Sequence, residues 1–235
     1  MIVKCVWEHN GRDTILYADN FVGAFTRGSS IEEAKLKMPE EIRRFQLWKG
    51  EKPVVDPEIE IIQEKNSDLQ VKDADSDVLF RSEEAPLSDE EYRYLKSVAI
   101  KSAEDFQKLY DAFPNKNMSV NPKRKTFYGD VPRTAEEMYL HTKNVNAYYF
   151  SEIGVDADNE GTILSCRERG FKALKAVPEF LSLPVTTGSF DEQWSVRKVL
   201  RRFIWHDRIH AKAMFKMGVL TFGAEIIPDV FGFTR

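Results

Sequence analysis

The chain has 235 residues, is 42% apolar and carries a formal net charge of −4, which suits one or two globular domains with a sizeable core. The mild acidity argues against a broad basic surface for nucleic acid or anionic membrane. Two distant cysteines, Cys5 and Cys166, the lack of a signal-peptide pattern in MIVKCVWEHNGRD and the lack of any long apolar stretch lead to the expectation of a soluble cytoplasmic protein.

The first part reads as strands followed by one helix. Met1 to Glu8 is a strand-like apolar run, and Asn10-Gly11 is a turn signal. Thr14 to Tyr17 and Gly23 to Thr26 are two further short strands. Ser30 and Glu33 form a capping-box pattern for a helix from Ile31 to Trp48, with Pro39 as a kink or a break inside it. Glu58 to Gln63 reads as a closing strand. Residues 64 to 87 are polar and acidic and read as a linker or a surface strand and turn. The DADSD run within them lacks the glycine and terminal glutamate that a calcium loop requires. The acidic excess is confined to this N-terminal block, which places a domain boundary near residue 85.

Four long helices follow. Ser88 and Glu91 cap the first, which Pro114 stops. A loop of about twenty residues (114–133) is unusual inside a compact domain and is often functional. It contains the basic stretch from Pro122 to Tyr128, which reads as a solvated loop. Thr134 and Glu137 cap the second helix, and Gly154 supplies its C-cap. The third covers about Thr162 to Leu181, with Gly170 as a site of close packing and Pro178 as a kink. The fourth runs from Ser195 to Met217, with Arg197, Lys198, Arg201 and Arg202 on its polar face. Four amphipathic helices of similar length predict a four-helix bundle. The fold class is thus α+β in the first domain (1–85) and all-α in the second (86–235).

Three of the four histidines fall on the apolar seams of these helices. Stepping through the last helix at intervals of three and four gives Val196, Val199, Phe203, His206, His210, Ala213 and Met217. The same walk in the second gives Met138, His141, Val145 and Tyr148. A histidine on an apolar seam needs a partner, and His206 and His210, four apart, can both face one ion. His141 supplies a third imidazole. Three imidazoles with an open position form a catalytic metal pattern, which zinc, nickel or iron all suit. Glu137, Asn144 and Asp207 are candidates to orient the ligands from a second layer. Arg167 and Arg169 are candidate contacts for an anionic substrate or partners of nearby carboxylates. His9 has no assigned role and is expected at the surface.

Two resemblances arise from these residues. Glu136-Glu137-Met-Tyr-Leu-His141, together with Trp194-Ser-Val-Arg-Lys-Val-Leu and Trp205-His206-Asp207-Arg-Ile-His210, resembles the DinB/YfiT-like superfamily of four-helix bundles. The resemblance implies a divalent metal at His141, His206 and His210. It also implies an activity such as metal-dependent transfer with a low-molecular-weight thiol, or hydrolysis of a small molecule. Residues 12 to 63, through Phe21-Val-Gly-Ala-Phe-Thr-Arg-Gly28 and Ser-Ser-Ile-Glu-Glu-Ala34, are similar to a HicB-type antitoxin domain. Val22 and Ala24 stand where that family usually has proline and cysteine, and the bundle stands in place of a DNA-binding unit. That resemblance implies a protein partner. The alternative to an enzyme is therefore a regulatory or protein-binding protein with a structural or sensing metal. Homodimerisation through the bundle or the sheet edge is compatible with either expectation.

Overall fold

A computed structural model describes residues 1–126 and 129–234. Its N-terminal part is a four-stranded sheet with one helix: β1 (Ile2–Asn10), β2 (Asp13–Ala18), β3 (Phe25–Gly28), α1 (Ile31–Lys49) and β4 (Glu58–Asn66), in the order β3-β2-β1-β4. β1 and β2 form an antiparallel hairpin across the Asn10-Gly11 turn, with Trp7 opposite Leu16. The closing strand β4 runs parallel to β1. β3 starts two residues later than its sequence pattern suggested. Gly23 has a φ of 103°, a conformation that leaves the strand path. Its bare Cα also lies where a Cβ would overlap the Ile204 side chain. This turn thus lets the sheet close onto the last helix.

α1 begins where the Ser30 hydroxyl accepts from the Glu33 N–H. The box is incomplete, because the Glu33 carboxylate accepts from Ser29 instead. The helix runs through Pro39 without ending. Proline removes one helical hydrogen bond, but Met38 and Ile42 on either side are fully buried and hold the segment to the sheet. Period-two alternation gives the sheet two apolar faces. Val3, Cys5, Leu16 and Ala18 share a core with α1 and the C-terminal helices. Val6, Ile15, Tyr17 and Phe25 pack against Val71, Val78, Phe80 and Trp205. The polar 64–87 segment therefore does more than link. It lies across the second sheet face, with Val71, Val78, Phe80 and Glu83 buried.

The C-terminal region contains α2 (Asp89–Asp111), α3 (Ala135–Ser151), α4 (Ile163–Ala176) and α5 (Val196–Phe222). α2 and α3 each pack against both α4 and α5. Complete capping boxes start α2 and α3, with Ser88 paired to Glu91 and Thr134 to Glu137. α4 stops at Ala176, short of the expected Leu181. Pro178 ends the helix instead of kinking it, because the residue before a proline avoids helical angles. Gly170 meets the Phe150 ring so closely that a Cβ there would overlap it.

α5 departs most from its sequence reading. Every residue from Lys198 to Arg208 is buried. Lys198, Arg201 and Arg202 were expected on a solvated face, and instead each meets a carboxylate. Lys198 Nζ lies 2.8 Å from Glu192, and Arg201 Nη2 donates to Glu83 at 3.1 Å. Further along, Arg208 Nη2 donates to Glu41 of α1 at 2.7 Å. These pairs tie α5 to the turn before it, to the 64–87 segment and to α1, where a charge left alone would be costly. Cys5 and Cys166 are free and buried. Among the described residues no helix is long and apolar enough to cross a membrane.

Candidate metal centre

His141 from α3 meets His206 and His210 from α5. Ring centroids are 5.2 Å apart for His141 and His206, 4.6 Å for His141 and His210, and 4.4 Å for the α5 pair. One nitrogen from each ring can be chosen so that all three lie within 4.8 Å of one another. Zinc–nitrogen bonds of about 2.1 Å place tetrahedral ligands about 3.4 Å apart, a gap that modest side-chain rotation covers. The α5 pair is adjacent because residues four apart stack on one helix face. His141 is brought opposite by the packing of α3 on α5.

The seam expectation needs one correction. Only His206 is buried; His210 is half-buried and His141 is exposed. The 141–145–148 stripe of α3 does not enter the core. Its core face is Met138, Thr142, Asn146, Tyr149 and Phe150. His141, Val145 and Tyr148 instead line a cleft of about 390 Å³, together with His206 and His210. An apolar period marks the side of a helix that turns inward, and a cleft wall satisfies it as well as a core does. The long loop supplies Arg124, Thr126, Asp130, Val131 and Pro132 to the same cleft. Arg124 bonds Asp73 at 2.8 Å, which latches the loop to the opposite wall. Phe127 and Tyr128 of the basic stretch lie outside the described residues.

The three rings suit a metal. His206 Nδ1 is buried without a hydrogen-bond partner, and a bound ion would satisfy it. Loss of water around the rings at the cleft pushes all three imidazoles below their ordinary range, with His206 the most enclosed. For His206 the neighbouring His210 and His141 add to this. Neutral imidazoles are the form that binds metal. The three histidines can therefore hold an ion, and they are the one such cluster among the described residues.

The expected second layer is placed elsewhere. Glu137 accepts from the backbone N–H groups of Arg133 and Thr134 at 2.8 and 3.2 Å, so the helix start occupies it. Asn144 is exposed, and its carbonyl accepts from Asn159 at 2.9 Å. Asp207, one residue past His206, is turned about 100° round the helix from it. It accepts from Ser102 at 2.5 Å and from both terminal nitrogens of Arg167. Arg167 is thus buried and committed, and Arg169 pairs with Asp158; neither contacts the cleft. His9 is half-buried, stacked on Trp7 and bonded to Glu64 at 3.0 Å.

Other cleft residues were not anticipated. Asp75, Tyr149, Arg202 and Trp205 line it. The only sequence signal was the place of Arg202 four residues before His206, on the same helix face. Buried Glu8 supports the wall from behind, accepting from Ser76 Oγ at 2.6 Å and from the Asp77 N–H at 3.3 Å. No family model, curated protein or solved structure matches the chain.

A pH prediction follows from the depressed imidazoles. Below about 6.5 the unfolded chain takes up protons that the folded histidines refuse, His210 down to about 3. The unfolded state then binds more protons, so stability of the metal-free protein falls as the pH drops through this window. Urea midpoints at about pH 7.5 and about pH 5.5 should show the loss. The loss should shrink when all three histidines are replaced by asparagine. An equal loss in that variant would assign it to other groups.

Proposed function

We propose that this protein is a divalent-metal-dependent enzyme of the DinB-like type, acting on a small molecule by thiol transfer or hydrolysis. The observation that supports this most is the convergence of three neutral imidazoles, one with a partnerless buried nitrogen, on a cleft of about 390 Å³. That volume lies within the usual range for small-ligand sites. When bound, zinc, nickel or iron with an open position lowers the pKa of a water or thiol and so supplies a nucleophile at neutral pH.

The chain's own residues do the rest. His206 and His210 are held by a helix buried on all sides over its first half, so their positions are rigid. Tyr148, Tyr149 and Trp205 form apolar walls that bring a substrate out of water. Arg124, Thr126, Asp130, Val131 and Pro132 line one side, and Arg124 is tied to Asp73. The N-terminal sheet, which resembles a HicB-type unit, backs the opposite wall through Glu8, which accepts from Ser76.

The test is elemental analysis of protein purified without a metal-affinity tag. About one zinc, nickel or iron per chain is expected, with the ion held by the three histidines. No metal, even after divalent ions are added, would sink the enzyme reading. The regulatory, protein-binding reading would then be the better one.

A further inference from the structure

Four buried polar atoms in the wall of one cleft lack a hydrogen-bond partner. They are His206 Nδ1, Arg202 Nε, Trp205 Nε1 and Asp75 Oδ2. The first is accounted for by the metal reading; the next two are not. Both are N–H donors, and both belong to side chains that are almost wholly enclosed, Arg202 at 8% and Trp205 at 2% exposure. Buried donors are nearly always satisfied, and leaving one unsatisfied costs the full desolvation of the group. Two of them on one cleft, one turn and one residue before His206, call for an acceptor that the folded chain does not supply.

Among the described residues Glu192 is the one carboxylate paired with Arg202, at 3.3 Å, and it is shared with Lys198 at 2.8 Å. Two buried cations thus share that carboxylate, while Asp73, Asp75 and Asp130 line other parts of the cleft. The Arg202 guanidinium cannot swing out to water. It is held among Tyr149, Trp194 and Trp205, whose ring centroids lie 5.5, 5.4 and 5.3 Å away. An enclosed guanidinium whose Nε–H has no partner is suited to an oxyanion.

We infer that Arg202 and Trp205 form an oxyanion subsite beside the histidine centre, which takes the carboxylate of a small substrate. This assignment rests on reading the cleft as a substrate site. The carboxylate accepts from Arg202 Nε and Trp205 Nε1, and its apolar body lies against Tyr148 and Val145. Asp75, with its own free oxygen, disfavours a second anionic group nearby and favours a donor on the substrate.

Calorimetric titration tests this with benzoate and succinate as probes and with benzamide and succinamide as their uncharged counterparts. Both EDTA-treated and zinc-loaded full-length protein are used. At least one carboxylate should bind the metal-free protein about tenfold or more tighter than its amide, the usual worth of a charge-assisted bond. Trp205→Phe keeps the ring and removes the donor, and it should weaken that carboxylate about five- to tenfold. Arg202→Gln should weaken it further. If no carboxylate exceeds its amide in the unmodified protein, the subsite is wrong, and this comparison needs no variant to fold. Equal carboxylate binding by the unmodified protein and by soluble Trp205→Phe and Arg202→Gln would also overturn it. Metal content is measured on the same samples. A charge-selective subsite in a chain that takes no metal would keep this inference and end the metal-enzyme reading; the reverse pattern would do the opposite.

Discussion

His141→Ala is expected to abolish stoichiometric metal binding while leaving the fold unchanged. His141 is exposed at the cleft, and no hydrogen bond within the described structure depends on its ring, so truncation leaves no buried cavity or orphaned partner. The ion, by contrast, loses one of three protein ligands. Loss of an outer-layer partner alone costs about 10- to 100-fold in metal affinity, so loss of a direct ligand should exceed 100-fold. The expected result is metal content falling from about one per chain to near zero after dialysis, with an unchanged urea midpoint for the metal-free protein. His206→Ala should also lose metal, but it opens space in a buried helix and complicates any comparison of stability. Unchanged metal content in His141→Ala would rule out the three-histidine set. A large drop in metal-free stability would instead mean that His141 packs as a structural residue.

Much of the frame behind this site is legible in sequence because it depends on local chemistry. The β1–β2 turn at Asn10-Gly11 and the helix starts at Ser30, Ser88 and Thr134 each involve residues within a few positions of one another. The pairing of His206 with His210 is local in the same sense. His141 is legible as an inward-facing residue, but the period that finds it does not distinguish a core from a cleft. What is not legible depends on partners far along the chain. Arg201 looks like part of an ordinary charged face until Glu83, 118 positions away, is brought against it, and Lys198 and Arg202 do so until the turn before α5 sets Glu192 against both. The acidic 64–87 segment likewise reads as a linker or a surface strand and turn until Val71, Val78 and Phe80 find the second sheet face. Asp207 illustrates both limits. Its nearness to His206 in sequence suggests a role at the metal, yet one residue along a helix is a different face.

Asp207→Ala is expected to be the most destabilising single change near the site. Asp207 and Arg167 are both fully enclosed, with Arg167 Nη1 and Nη2 donating to the two carboxylate oxygens at 3.1 and 3.2 Å. Burial pushes the Asp207 carboxyl up, and the guanidinium opposes this by favouring the charged form. Removing the carboxylate leaves a guanidinium with no counter-charge in a dry interior, over the Phe203 ring at 3.7 Å. It also leaves Ser102 without its acceptor on α5. Breaking such a pair from one side costs about 3–5 kcal/mol, a large share of the total for a domain of this size. Urea unfolding should show the midpoint falling with little change in slope. A loss below about 1 kcal/mol would show that Arg167 finds water or another partner. Adding Arg167→Met to Asp207→Ala should recover part of the loss, since the uncompensated charge is then gone. Metal content of the folded fraction separates two roles for this pair. If Asp207→Ala still takes one ion per chain, the pair is a strut joining α2, α4 and α5 behind the centre. If metal is lost from protein that remains folded, the strut also sets the angle of α5 at His206, and the site depends on the core that carries it.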